Sequence, residues 1–234
     1  WKGDELIVSS EMKSIDETYK VEQFEPRTYI VLDENNEIIY RNEYFTFEKS
    51  KDNYSEKEHI DNIRVLMEEA VKKRLMSERN ICCLLSGGLD STIVTGIVSR
   101  YLEPYKLNTY SIGLKGSVDI KYSKIASDYF KTNHTIIELS NEDFINAIEK
   151  TIYQIESYDV TTVRASIGNY LVSCYIRDNS QDKVVFCGDV SDEIFGSYRG
   201  FYYAPDDDTF YEENIKMLKN INYFDVLRSD KSIS

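Results

Sequence analysis

Apolar positions change period repeatedly along the chain, and each change predicts an element. Ile81-Cys82-Cys83-Leu84-Leu85 is an apolar run of strand length that stops at Ser86-Gly87-Gly88-Leu89-Asp90-Ser91. Beyond it Ile93, Val94, Ile97, Val98, Tyr101 and Leu102 recur at helical spacing, which predicts a helix with one apolar face running to Leu102. Residues 107–112 then read as a strand, 121–130 as a helix and 134–139 as a strand. Ser140 followed by Asp143 has the spacing of a helix cap, and one helix carrying Phe144, Ile145, Ile148, Ile152 and Ile155 is expected after it. Residues 159–166 interrupt the pattern before a helix that runs through Arg177. Residues 183–187 form another short apolar run, which enters Gly188-Asp189-Val190-Ser191-Asp192-Glu193-Ile194-Phe195-Gly196, a second loop–helix junction. Upstream, Ser55 and Glu58 have capping-box spacing, and a helix to about Ser77 should bury Ile60, Ile63, Met67, Ala70, Val71 and Leu75.

Strands that alternate with helices make parallel βαβ units with right-handed crossovers, so the expected class is α/β with a doubly wound parallel sheet. Ligands of such sheets bind beyond the carboxyl ends of the strands, where both loops named above leave the sheet. Residues 1–47 read differently, as three or four β-strands that cannot close a core by themselves. Residues 5–8 are a short apolar run, and residues 28–32 and 38–40 flank Asp33-Glu34-Asn35-Asn36-Glu37, a good hairpin loop. Residues 48–55 are polar, without periodicity, and are expected to link this part to residues 56–234. The tail from Pro205 is acidic and then helical, ending near Tyr223–Lys231.

Composition narrows the function classes. The 234 residues are 41% hydrophobic, enough for a real core, and carry 28 basic against 41 acidic side chains for a net charge of −13. Phosphate neutralisation along a nucleic acid needs clustered Lys and Arg, so a nucleic-acid surface is disfavoured. Cys82, Cys83, Cys174 and Cys187 lie in apolar runs without Cys-x-x-Cys spacing and read as buried thiols of a reducing compartment, neither a disulfide framework nor a zinc site. No stretch is long and apolar enough to span a membrane and no signal peptide is visible, so a cytoplasmic protein is expected. The first residue is Trp and strand-like sequence follows at once, which is read as a fragment of something longer.

The chemistry concentrates at Ser86–Ser91. Glycines let the backbone bend and approach an anion, and the first free N–H groups of a following helix point at it. Ser86 and Ser91 add hydroxyl donors, and Asp90 is of the right type to hold the magnesium that accompanies a nucleoside triphosphate. An ordinary strand–turn–helix corner is the plainer alternative. The sequence is neither a Walker loop nor a dinucleotide Gly-x-Gly-x-x-Gly. It resembles the pyrophosphate loop of ATP pyrophosphatases, which cut ATP between the α and β phosphates.

Other stretches extend that resemblance: Ser9–Lys13, Leu75-Met76-Ser77, Leu84–Ser91, Tyr110–Leu114, Ser157–Ser166, Ser191–Gly196 and Leu227–Lys231. In this order they resemble the glutamine-hydrolysing asparagine synthetases over nearly the whole chain, with Tyr158-Asp159-Val160-Thr161-Thr162 the most specific stretch. The resemblance implies that residues 1–47 end a glutaminase domain whose nucleophilic cysteine lies upstream, and that residues 56–234 begin the synthetase domain. It implies ATP and Mg2+ as cofactors, with aspartate and ammonia from glutamine as the other reactants and β-aspartyl-AMP as the intermediate. Leu84, Ser86, Gly87, Gly88, Leu89, Asp90, Ser91, Ile112, Gly188 and Tyr198 are then expected to hold ATP, and Asp90 and Asp192 to share the metal. Thr161, Thr162, Arg164 and Asp189 are expected at the reacting groups. A homodimer of the full-length protein is compatible with the resemblance; nucleic acid and membrane partners are not expected. For Asp192-Glu193 the plain alternative is an acid pair complementing a helix dipole.

The sequence departs from the family at one place. Relatives usually read Ser-Gly-Glu-Gly-x-Asp-Glu where this chain has Cys187-Gly188-Asp189-Val190-Ser191-Asp192-Glu193. Asp189 thus replaces a glutamate that the resemblance marks as catalytic, and Val190 replaces a turn glycine, which is costly if φ is positive. Alternatives left open are a catalytically impaired nucleotide-binding relative and another ATP pyrophosphatase, β-lactam-forming or RNA-modifying.

Overall fold

The computed structural model describes residues 6–47 and 53–221. Glu5, part of the 48–55 linker and the stretches Tyr223–Lys231 and Leu227–Lys231 lie outside the described residues.

Residues 6–47 contain one antiparallel hairpin, β1 (Thr28–Leu32) and β2 (Ile38–Glu43), closed as expected by residues 33–37. Asp33 fixes that turn, its Oδ1 accepting the N–H groups of Asn35 and Glu37 at 2.9 and 2.8 Å. The strand expected at residues 5–8 is absent over its described part: no ladder partner meets it, and Val8 is 80% exposed. A 3-10 turn, Met12–Ser14, follows instead.

The larger part is a sheet of four parallel strands, β3 (Asn80–Leu84), β4 (Asn108–Leu114), β5 (Asn133–Leu139) and β6 (Asp182–Phe186), in the order β5-β4-β3-β6. Helices α1 (Glu56–Arg74), α2 (Leu89–Ser99) and α3 (Val118–Phe130) precede or link the first strands. Then α4 (Asn141–Asn146), α5 (Ile148–Ile155) and α6 (Val160–Asn179) cross to β6, and α7 (Ser191–Phe195) and α8 (Asp207–Lys219) follow. Alternation of side chains along β3 separates two cores. Cys83 faces Val71, Ile97, Val98, Leu107 and Phe186, under α1 and α2. Cys82 faces Tyr110, Ile137, Val172 and Ile176, under α6. Helices cover both faces, so the sheet is doubly wound, and the chain reverses its direction of travel between β3 and β6.

Caps set the helix starts. Ser55 and Glu58 satisfy one another's backbone N–H at α1, and Ser140 and Asp143 do the same at α4. Four expectations need correction. Ile60 and Ile63 of α1 are exposed, because only the last turns of that helix reach the sheet, through Met67, Val71 and Leu75. Ile93, Tyr101 and Leu102 stay partly exposed: α2 packs through Ile97 and Val98, and Tyr101 and Leu102 lie beyond its end at Ser99. The helix expected after Ser140 is two helices, broken where the Ala147 N–H is shared among the carbonyls of Asp143, Phe144 and Ile145. Residues 160–166 do not interrupt a helix; they begin α6. Asp159 makes the difference, because its buried carboxylate accepts the N–H and hydroxyl of Thr162 at 2.8 and 2.9 Å as an N-cap.

Candidate active site

The loop after β3 turns through Gly87 at φ 84. Its polar groups close on themselves: Ser91 Oγ accepts the Ser86 N–H at 3.2 Å and lies 2.9 Å from Ser86 Oγ, which accepts the Gly88 N–H at 3.2 Å. Gly88 is the N-cap of α2 and has no side chain to satisfy the amides of the first turn. Those N–H groups are left for an anion. Ser86, Gly88 and Leu89 are exposed and Asp90 is half-buried, so a ligand has access.

The loop after β6 lies beside it, because β6 and β3 are neighbouring parallel strands. Gly188 approaches the α2 N-terminus so closely that a β-carbon there would stand 2.7 Å from Ser91 N and 2.8 Å from Asp90 Cβ. The Ser191 hydroxyl donates to the Gly188 carbonyl at 2.8 Å, and Val190 takes φ 74, ψ −3 in the left-handed region. The cost foreseen for a β-branched residue with positive φ is therefore present. Asp189 is exposed on this turn.

Asp192 and Glu193 follow in α7, which α8 holds in place: Asn214 Nδ2 donates to the Glu193 carbonyl at 2.7 Å, and Phe210 packs on Gly196. Asp192 Oδ1 accepts from the Ser197 hydroxyl at 2.5 Å, and Glu193 Oε1 accepts from the Tyr198 hydroxyl at 2.6 Å. Each acid thus has a nearby donor, and Tyr198 is oriented by Glu193.

Leu84 and Ile112 are half-buried on the α6 face, where Gly168 lies opposite Ile112. Because α6 runs back against the strands, Thr161, Thr162 and Arg164 in its first turns stand toward the carboxyl end of the sheet, the end from which both loops leave. Thr161 and Arg164 are exposed. The contacts described join the two loops directly; the α6 residues share their end of the sheet and are tied to Asp159.

Burial pushes the thiols of Cys82 and Cys83 up to about 12, as expected of inert core cysteines. Cys187 corrects the expectation of four buried thiols: it is exposed at the end of β6, and Cys174 is half-buried. Among the described residues no helix is long and apolar enough to cross a membrane, and no group of three or more His, Cys, Asp or Glu is placed to hold a metal.

Two features escaped the sequence reading. Asp182 is buried at the opposite end of the sheet, accepting from Asn108 Nδ2 at 2.9 Å and Tyr110 OH at 2.7 Å; burial, and then Asp182, push Tyr110 up to about 12. The other is a polar ladder around His134 under α3. Neither has a sequence signal, because each depends on which strands become neighbours.

The asparagine synthase family model matches residues 62–232. The chain belongs to the asparagine synthase family. It is 41% identical over 176 residues to the glutamine-hydrolysing asparagine synthetases of Rattus norvegicus and Homo sapiens, and 43% over 175 residues to that of Gallus gallus. These matches cover 74% or 73% of this chain but 31% of each relative, so the chain spans about a third of the length of the curated relatives it matches. Among solved structures, an NH3-dependent NAD synthetase from Campylobacter jejuni aligns over 62% of both chains with a TM-score of 0.40 and 17% identity. The family match meets the expected family, the parallel sheet itself meets the expected α/β class, and the strand-end loops lie within the part matched to the asparagine synthase family.

Proposed function

We propose that residues 56–221 hold the nucleotide end of an asparagine synthetase site, in which ATP activates aspartate as β-aspartyl-AMP and ammonia from glutamine then displaces AMP. The observation that carries this reading is the close approach of Gly188 to Asp90 and Ser91, which brings two acid-bearing, strand-end loops together. The amides of the Ser86–Ser91 loop and the open N-terminus of α2 receive the pyrophosphate as it leaves. The aspartate carboxylate attacks the α-phosphorus, and the chain contributes mainly position and charge, which is how nucleotidyl transfer is accelerated. Leu84, Ile112 and Gly188 line the adenosine side, with Tyr198 at its edge. Thr161, Thr162 and Arg164 face the amino-acid substrate, where the planar guanidinium suits a carboxylate or phosphate.

Asp90 and Asp192 are the residues to hold magnesium. Their number fits, because this ion is usually held by one or two carboxylates and completes its shell with phosphates and water. When bound, it neutralises charge on the phosphates. Residues 1–47 are read as the end of a glutaminase domain, and a cytoplasmic setting and a homodimer of the full-length protein are compatible with the same family reading.

A second reading rests on Asp189 and Val190. With the carboxylate one methylene shorter than the family's glutamate, nucleotide binding and adenylation persist in the full-length protein while amidation is slowed. Calorimetry tests the nucleotide site that both readings share. This chain should bind ATP with magnesium, and Asp90→Ala should weaken binding at least tenfold, about 1.4 kcal/mol. Unchanged affinity in Asp90→Ala removes the pyrophosphate-loop assignment. In the full-length protein, aspartate-dependent ATP–pyrophosphate exchange with asparagine formation that Asp189→Glu plus Val190→Gly speeds favours the second reading.

A further inference from the structure

The corner of the loop at Gly87 does not face solvent. A β-carbon on Gly87 would stand 2.4 Å from Ser123 N and 2.6 Å from the Tyr122 carbonyl carbon, so the loop is seated directly on the backbone of α3. What holds α3 in place is unusual for an amphipathic helix. Its buried residues are serines, Ser123 and Ser127, while Tyr122, Ile125 and Tyr129 lie in solvent. Apolar anchors stand near its two ends, where Ile120 packs over Gly113 of β4 and Phe130 over Gly96 of α2.

Between those ends, at the turn that meets Gly87, the buried contacts are hydroxyls. Ser123 Oγ donates to Ser111 Oγ at 3.2 Å and to the Ile120 carbonyl at 3.0 Å, and lies 3.3 Å from His134 Nε2. His134 bridges the strands beneath, with Nδ1 2.9 Å from Thr109 Oγ1 and Nε2 3.2 Å from Ser111 Oγ. Thr109 continues to Thr132 at 2.8 Å, and Thr132 donates to Ser127 at 3.0 Å. Ser123 is fully buried. Burial also holds the His134 ring below the usual imidazole range, so it stays neutral and keeps an acceptor for these hydroxyls. Hydroxyl bonds are directional where apolar packing slides, which makes this ladder suited to fixing a loop rather than merely covering it.

We propose that Ser123, held by Ser111 and His134, is a positioning residue that sets the Ser86–Ser91 loop for the pyrophosphate group. The proposal rests on the nucleotide reading of that loop. Ser127 provides the control, since it belongs to the same ladder one turn further along α3, away from the contact with Gly87. The test compares wild type, Ser123→Ala and Ser127→Ala by amide hydrogen exchange over residues 86–91 and by calorimetric titration with ATP and magnesium. Ser123→Ala should exchange at least threefold faster at residues 87–90 and bind ATP at least fivefold more weakly; Ser127→Ala should change neither while melting at a similarly lowered temperature. Loop exchange unchanged in Ser123→Ala, or accelerated equally in Ser127→Ala, overturns the proposal. So does faster exchange with undiminished affinity. If wild type binds no ATP but the exchange result holds, the seat stands and the nucleotide reading is what fails. Should Ser123→Ala melt below assay temperature, Ser111→Ala removes the same bond from the sheet side and is read by the same two measurements.

Discussion

Gly188 lies against the backbone of Asp90, close enough that any side chain there would press a β-carbon to within 2.8 Å of Asp90 Cβ and 2.9 Å of its carbonyl carbon. The neighbours that would have to yield belong to the first turn of α2, not to the end of a flexible side chain. Gly188→Ala should therefore cost about 1–3 kcal/mol, the usual range for overpacking. It should also part the two loops and weaken ATP binding more than that loss of stability requires. Urea denaturation and calorimetry on the same protein measure both; a variant as stable as wild type would show that the loops separate freely.

Much of this arrangement was legible in the residues. Ser55 with Glu58 and Ser140 with Asp143 announced their helices because capping is local chemistry. The strand–loop–helix units were legible because a buried parallel strand is apolar on both faces. Asp159 was misread because the same residue types favour turns and helix caps, and only its burial beside Thr162 shows which. Ile60 and Ile63 carried a true apolar period, yet among the described residues both stay exposed. Gly87 was assigned to anion approach and Gly188 to the adenosine pocket; the structure shows, in addition, both admitting other backbones, Ser123 and Ser91. Such contacts join residues about 36 or 97 positions apart in the chain, and no local pattern encodes them.

Val190 holds a left-handed conformation, φ 74, with a β-branched side chain that is 46% exposed and so gains little from burial. The left-handed region costs an L-residue roughly 1–2 kcal/mol, and glycine gives back about 0.5–1 kcal/mol through its freer unfolded chain. Val190→Gly should raise stability by about 0.5–1 kcal/mol, seen as a higher urea midpoint at unchanged slope. A lower midpoint would mean that Val190 makes a contact worth more than its backbone strain.

Residues 9–15 are held to the larger part by Glu156, the left-handed cap of α5. Its carboxylate accepts the N–H groups of Met12 and Lys13 at 2.9 and 2.5 Å, and Lys13 Nζ donates to the Gln154 carbonyl at 3.0 Å. Those backbone bonds, from Lys13 first, hold the carboxyl below its usual range. A depressed carboxylate stabilises the fold above its unfolded value of about 4.3 and loses that contribution as pH falls through the folded value. Glu156→Gln should therefore expose Lys13 to trypsin at neutral pH, with little change at the remaining sites. Wild type should become comparably susceptible only well below about pH 4, once the depressed carboxyl takes up its proton, tested with an acid-active protease. Unchanged cleavage in the variant would place the anchor elsewhere.

His134 gives a second pH dependence, in a different window. Desolvation lowers its value in the fold, outweighing the Thr109 bond and the Asp128 carboxylate, both of which favour the charged ring. The unfolded chain, titrating near 6.5, then binds the proton more readily than the folded one. Stability is complete above about 6.5 and declines as pH falls from there toward the depressed folded value, with a slope of at most about 1.4 kcal/mol per pH unit for one proton. Carboxylate caps such as Asp143 titrate well below this window, and His59 is exposed on α1. Urea midpoints measured between pH 7.5 and 5.5 should fall in wild type and stay nearly level in His134→Gln, whose amide can still reach the surrounding hydroxyls. A parallel decline in both proteins would show that the imidazole is not the group taking up the proton.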